Sequence, residues 1–165
     1  SNAKFVYVCE HQAMNQECKG SPKGFKCFLF TLIAFTRTRT QTERAQNSYN
    51  LNHIFALESD AGGFSPRGFS FTSNLKNFKR ILSWKKLFEP YLIHSFLLGG
   101  SGADIAPLKN GNNVLAGLRP DSQRYFDYHH TSIDTFDAIN KRELELGAFA
   151  MTSLVYLFDK YGIVK

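Results

Sequence analysis

Cysteine is scarce and confined to one end of the chain: Cys9, Cys18 and Cys27 are the only three, all before residue 30. An odd number cannot close a complete disulfide framework. Structural zinc sites pair ligands about two to four residues apart, and neither gap here has that spacing. Free or buried thiols are therefore the expected state. Long apolar runs are also missing. None approaches the roughly 20 residues that a membrane span needs, which excludes a transmembrane helix. The longest, Cys27 to Phe35, suits a buried strand or a short hydrophobic helix. No export signal is legible, so the compartment is unknown. Ser1-Asn2-Ala3 reads as the scar of a removed tag.

Acidic residues are outnumbered, 14 against 20 basic ones, for a net charge of +6. Such an excess raises nucleic acid as a partner, because clustered Lys and Arg release counterions from phosphate. The cluster is thin. Lys76, Lys79, Arg80, Lys85 and Lys86 share one helical stretch with apolar positions between them, the pattern of a solvated face on an amphipathic helix. No nucleic-acid partner is expected.

What is present is a core. A 43% hydrophobic composition with 16 Phe argues for a globular chain, and 165 residues suffice for one domain. Its character changes near residue 43. Residues 4–42 mix apolar and basic groups without sustained periodicity, and 43–165 read as α/β. Glu43 to Ser48 suits a helix end. Ile54 to Leu57 is a compact apolar run feeding Glu58-Ser59-Asp60 and Gly62-Gly63, as a buried strand feeds a loop. Leu75, Phe78, Ile81, Leu82 and Leu87-Phe88 repeat at helical spacing, with Thr72 or Ser73 placed as the cap and Pro90 past the end. Asn113 to Leu118 reads as another strand. Asn140 with Glu143 forms a capping-box pattern ahead of Leu144, Ala148, Met151, Val155 and Phe158, a long helix.

Two polar segments follow such strands, where α/β sites gather. One ends in Asp60. The other runs Tyr125-Phe-Asp-Tyr128-His129-His130-Thr131-Ser-Ile-Asp134-Thr135. Imidazole and carboxylate are zinc ligands, and catalytic zinc keeps a position open for water that it acidifies. The residues alone leave open a turn former at Asp60, surface or hydrogen-bonded core histidines, and a helix cap at Asp134.

Together with Gly99-Gly-Ser-Gly-Ala-Asp104-Ile-Ala-Pro107 between them, these segments resemble the C-terminal part of co-catalytic zinc exopeptidases of the carboxypeptidase Q and aminopeptidase Y type, over about residues 43–162. The resemblance implies a truncated zinc-exopeptidase-like, phosphorylase/hydrolase-like α/β fold, three-layered, with a mixed central sheet and packed helices. It implies two zinc ions in a complete site, one held by Asp60 and the other by His130, with His129 the alternative. Asp134 becomes the carboxylate that holds the imidazole tautomer. Asp104, Arg124 and Tyr125 become residues of the substrate pocket, where Arg124 meets a substrate carboxylate or else a surface salt bridge. The implied partner is a peptide substrate, and relatives of this type are often exported. The family's remaining ligands and its Glu-Glu pair belong upstream. Met14-Asn15-Gln16-Glu17 is similar to that pair but puts Gln16 where the base belongs, and an amide cannot take a proton from zinc-bound water; His11, Glu10 or Glu17 remain as replacement ligands. The implied chain is a peptidase fragment with no activity of its own. A scaffold that self-associates through an exposed sheet edge is the alternative.

Overall fold

The computed structural model describes residues 4–9 and 53–163. Cys18, Cys27, Gln16, the apolar run ending at Phe35 and the helix end before Ser48 lie outside them. Within them, five strands form one mixed sheet: β1 (Lys4–Cys9), β2 (His53–Ser59), β3 (Pro66–Thr72), β4 (Ser95–Leu98) and β5 (Val114–Pro120). The order is β1-β2-β5-β3-β4. β1, β2 and β5 run parallel, β3 runs antiparallel to β5, and β4 runs parallel to β3. The segment expected to lack periodicity thus supplies a strand, β1.

Alternation along the strands sorts the two faces of the sheet. Phe55 and Leu57, Phe69 and Phe71, and Val114, Ala116 and Leu118 join one apolar cluster with Ile81, Trp84 and Phe88 of helix α1 (Leu75–Phe88) and Ala150, Leu154 and Phe158 of helix α3 (Lys141–Tyr161). Both long helices therefore cover the same face. On the other face Ala56 and Leu115 meet Ile105 and Leu108 from the segment between β4 and β5. The ring of Phe158 stacks on Phe55 at 4.0 Å and takes the edge of Trp84 at 5.0 Å, which ties both helices to β2.

Helical spacing located α1 and α3 and part of their buried faces: Ile81, Phe88, Val155 and Phe158 are buried as expected, whereas Leu75 is 65% exposed. Along α3 the buried positions include Gly147, Ala150, Leu154 and Phe158, whereas Leu144 is 41% exposed. Gly147 faces β5: a Cβ there would stand 3.6 Å from the Leu118 side chain, an ordinary packing distance. The cap of α1 is Asn74 rather than Thr72 or Ser73, its side chain accepting the Asn77 N–H at 2.8 Å. Asn140 caps α3 as expected, its Oδ1 accepting the N–H groups of Arg142 and Glu143. Asn140→Ala should lower the unfolding free energy by about 1 kcal/mol, read as a shift of the urea midpoint with an unchanged slope.

Two strands, β3 and β4, lie beyond the sequence reading. Gly68 shows why they are close neighbours: a Cβ there would run into the Ser95 carbonyl of β4. No helix among the described residues is long and apolar enough to cross a membrane.

Candidate functional site

The chain leaves β2, skips one position in the sheet to form β3, and fills the gap later with β5. Ligands in α/β sheets bind at such switch points, outside the carboxyl ends of the strands. A cavity of about 270 Å³ opens there. Glu58, Asp60, Ser101, Gly102, Arg119 and Tyr125 are among the residues that line it. Asp60 is the first residue after β2. Tyr125 opens a one-turn helix, α2 (Tyr125–Tyr128), that follows β5.

The cavity is acidic. Glu58 is only 1% exposed and its pKa is pushed up to about 7, chiefly by burial. The Ile105 N–H works against that rise, and the charges of Asp104 and Asp60 add to it. Oε2 of Glu58 accepts the backbone N–H groups of Asp104 and Ile105, both at 3.1 Å, while Oε1 is buried and has no hydrogen-bond partner among the described residues. Asp104 is itself raised, by burial and then by Asp60. Burial raises Tyr125 too, helped by the charges of Asp60 and Asp134.

The histidine loop reaches the cavity through Tyr125. The His129 ring stacks on Tyr125 at 4.5 Å, and His130 meets His129 edge-on at 3.9 Å. His130 has φ +58°, one of two non-glycine residues with positive φ among those described. Histidine tolerates this region better than most residues, and such backbone recurs at functional sites. Asp134 lines a smaller cavity with Phe64, Tyr128 and Ile139 and forms no hydrogen bond with either imidazole. Arg124 is engaged by Glu143, with Nη2 2.8 and 2.7 Å from its two oxygens, and lies over the Phe64 ring. Burial disfavours the Glu143 charge, yet the hydrogen bonds from Arg124 and Ser65 hold its pKa below the usual value.

So Asp60 and Tyr125 share one cavity, Asp104 acts electrostatically on Glu58 within it, and the imidazoles connect to it through the Tyr125 ring. Glu58 had no role in the sequence reading. The available signal was a carboxylate directly after the apolar run, still within β2 and on the face opposite Phe55 and Leu57. No three His, Cys, Asp or Glu side chains among the described residues come together as metal ligands. Asp60 and the imidazoles are zinc-type donors, but the described residues alone do not make a zinc site.

Over 106 residues, 64% of this chain and 22% of its relative, the sequence is 29% identical to human carboxypeptidase Q. Bovine carboxypeptidase Q is 28% identical over 117 residues, 71% of this chain and 24% of that protein. The chain is similar to part of a metallopeptidase of the carboxypeptidase Q type. The match takes in less than a quarter of these relatives' length. A solved structure with the same fold, a peptidase M28 precursor from Shewanella amazonensis SB2B, superimposes with a TM-score of 0.64 at 23% identity, covering 77% of this chain and 29% of that one. No family model matches.

Proposed function

We propose that this chain supplies part of a two-zinc exopeptidase centre, Asp60 holding one ion and His130 the other, in a site that cleaves peptide bonds near a chain terminus. The observation that carries this is that Asp60, from the end of β2, and Tyr125 line one cavity, with the His129 ring stacked on Tyr125 and His130 edge-on to His129. The similarity to carboxypeptidase Q supports the reaction class. The other zinc ligands and the general base would lie outside the described residues, and the chain by itself should leave aminoacyl and dipeptide substrates at background. Asp104 and Tyr125 would border the bound peptide. Arg124, already paired with Glu143, would steady the histidine loop.

Zinc affinity tests this directly. In competition with a chromophoric chelator, the intact chain should bind zinc weakly, since tight sites take three or four protein ligands. Asp60→Ala and His130→Ala should each weaken binding by about tenfold or more, at the lower end of what zinc-site mutations cost, and His129→Ala should change it little. Affinity unchanged in both of the first two variants would overturn the assignment.

The scaffold reading draws on β4, an edge strand whose Leu97 and Leu98 are 46% and 48% exposed. Exposed apolar edges promote pairing between chains. A clean monomer by light scattering at the highest soluble concentration would remove it.

A further inference from the structure

The Gly99–Asp104 loop forms one wall of the cavity, and its backbone is soft. Gly99, Gly100 and Gly102 have φ of +104°, +69° and +128°, a region in which glycine is unconstrained. Its shape must be imposed by what it touches. At its near end it is tied to β3: the Gly99 N–H donates to the Phe71 carbonyl at 2.6 Å, Ser70 Oγ donates to the Gly100 carbonyl at 2.6 Å, and Ser101 Oγ donates to Thr72 Oγ1 at 2.9 Å. Its far end is tied to β2 by Glu58, whose Oε2 takes the N–H groups of both Asp104 and Ile105 at 3.1 Å.

We propose that Glu58 is a positioning residue, a latch whose carboxylate pins the far end of the glycine loop and so holds the wall of the cavity beside Asp60. Three features converge on it. The two bonds bridge 46 and 47 residues of sequence, so no local turn would replace them. Glu58 is almost wholly buried, so water cannot substitute for the carboxylate. Gly102 lies directly against that carboxylate, where a Cβ would collide with all three of its atoms; the loop closes only because residue 102 has no side chain. The latch is thus a matched pair, a carboxylate on β2 and a glycine above it. It sets where Asp104 stands relative to Asp60, whatever ligand the cavity takes.

Amide hydrogen exchange followed residue by residue tests this, using Glu58→Ala, Glu58→Gln and Gly102→Ala in the intact chain. Glu58→Ala should speed exchange of the Asp104 and Ile105 amides by about tenfold or more relative to Ala116 and Leu118 in β5, the loss expected when buried hydrogen bonds vanish. Glu58→Gln keeps an acceptor in place and should leave those two amides close to wild type, a rescue that loss of packing alone would not produce. Gly102→Ala, with Glu58 intact, should speed the same amides by lifting the loop, and it decides the matter if Glu58→Ala does not fold. Unchanged Asp104 and Ile105 exchange in Gly102→Ala, or glutamine behaving like alanine at position 58, would overturn the proposal.

Discussion

Phe69→Ala is expected to remove about 4 kcal/mol of stability, the range for deleting a fully buried aromatic ring, and so a large share of the roughly 5–15 kcal/mol that holds a domain together. Phe69 is 0% exposed at the middle of β3. Its ring meets Phe88 of α1 and Phe96 of β4 edge-on, both at 5.9 Å, and Phe71 at 6.1 Å. Truncation would therefore leave a void bounded by a helix and two strands, none of which can collapse into it without opening the β3–β4 register. The melting temperature should fall by about 10 °C at this chain length. Phe69→Leu, which keeps most of the volume, should cost about 1.5 kcal/mol or less. A fall of only a degree or two for the alanine variant would mean that β3 is not the centre of the core.

That strand was not legible in advance, and the reason is physical. Pro66 and Gly68 discourage a strand reading because one lacks an N–H and the other lacks a side chain. Here both fit. Pro66 begins the strand opposite Pro120, and Gly68 admits the Ser95 carbonyl of β4. The alternation Phe69-Ser70-Phe71 was the available signal, with Ser70 turned to the glycine loop. β4 is only four residues long, too short for any period to stand out. By contrast β2 and β5 announced themselves as continuous apolar runs, because parallel strands are buried on both faces. The helices were visible from their periodicity, yet the burial of Trp84 on α1 and of Gly147 and Ala150 on α3 is a tertiary fact that the spacing of large apolar residues did not carry.

The site divides similarly. Asp60 follows a strand that could be read, so its place at the cavity was foreseeable. Arg124 could be a pocket residue or half of a salt bridge on sequence grounds, and Glu143, 19 residues on, settles its partner. The sequence pattern makes Glu143 half of a capping box; in the structure its carboxylate instead serves Arg124 and Ser65. Glu58 was passed over because its neighbours Ser59 and Asp60 made the whole segment look like a polar turn, whereas the pairing of β2 with both β1 and β5 carries Glu58 into the sheet interior.

Glu58 also gives the chain a distinct dependence on pH. With chelator present throughout, so that the carboxylates see no cation, burial holds its pKa at about 7 in the folded chain, against 4.5 as the ordinary value. A raised folded pKa means that the native state holds the proton more tightly than the unfolded one. The contribution is fully present below pH about 4.5 and is lost as pH rises through about 7. A rise of that size corresponds to about 3 kcal/mol. Glu58→Gln cannot ionise, so the stability difference between variant and wild type should move by about that amount in the variant's favour between pH 4 and pH 8. The offset at pH 4 need not be zero, because the glutamine N–H₂ would sit where Oε1 has no hydrogen-bond partner among the described residues; the slope carries the test. Asp104, raised for the same reasons, is present in both proteins and cancels to first order. Urea titrations at pH 4, 6 and 8 that gave parallel stability curves for the two proteins would mean that Glu58 is ionised when folded, with water reaching the carboxylate beneath Gly102.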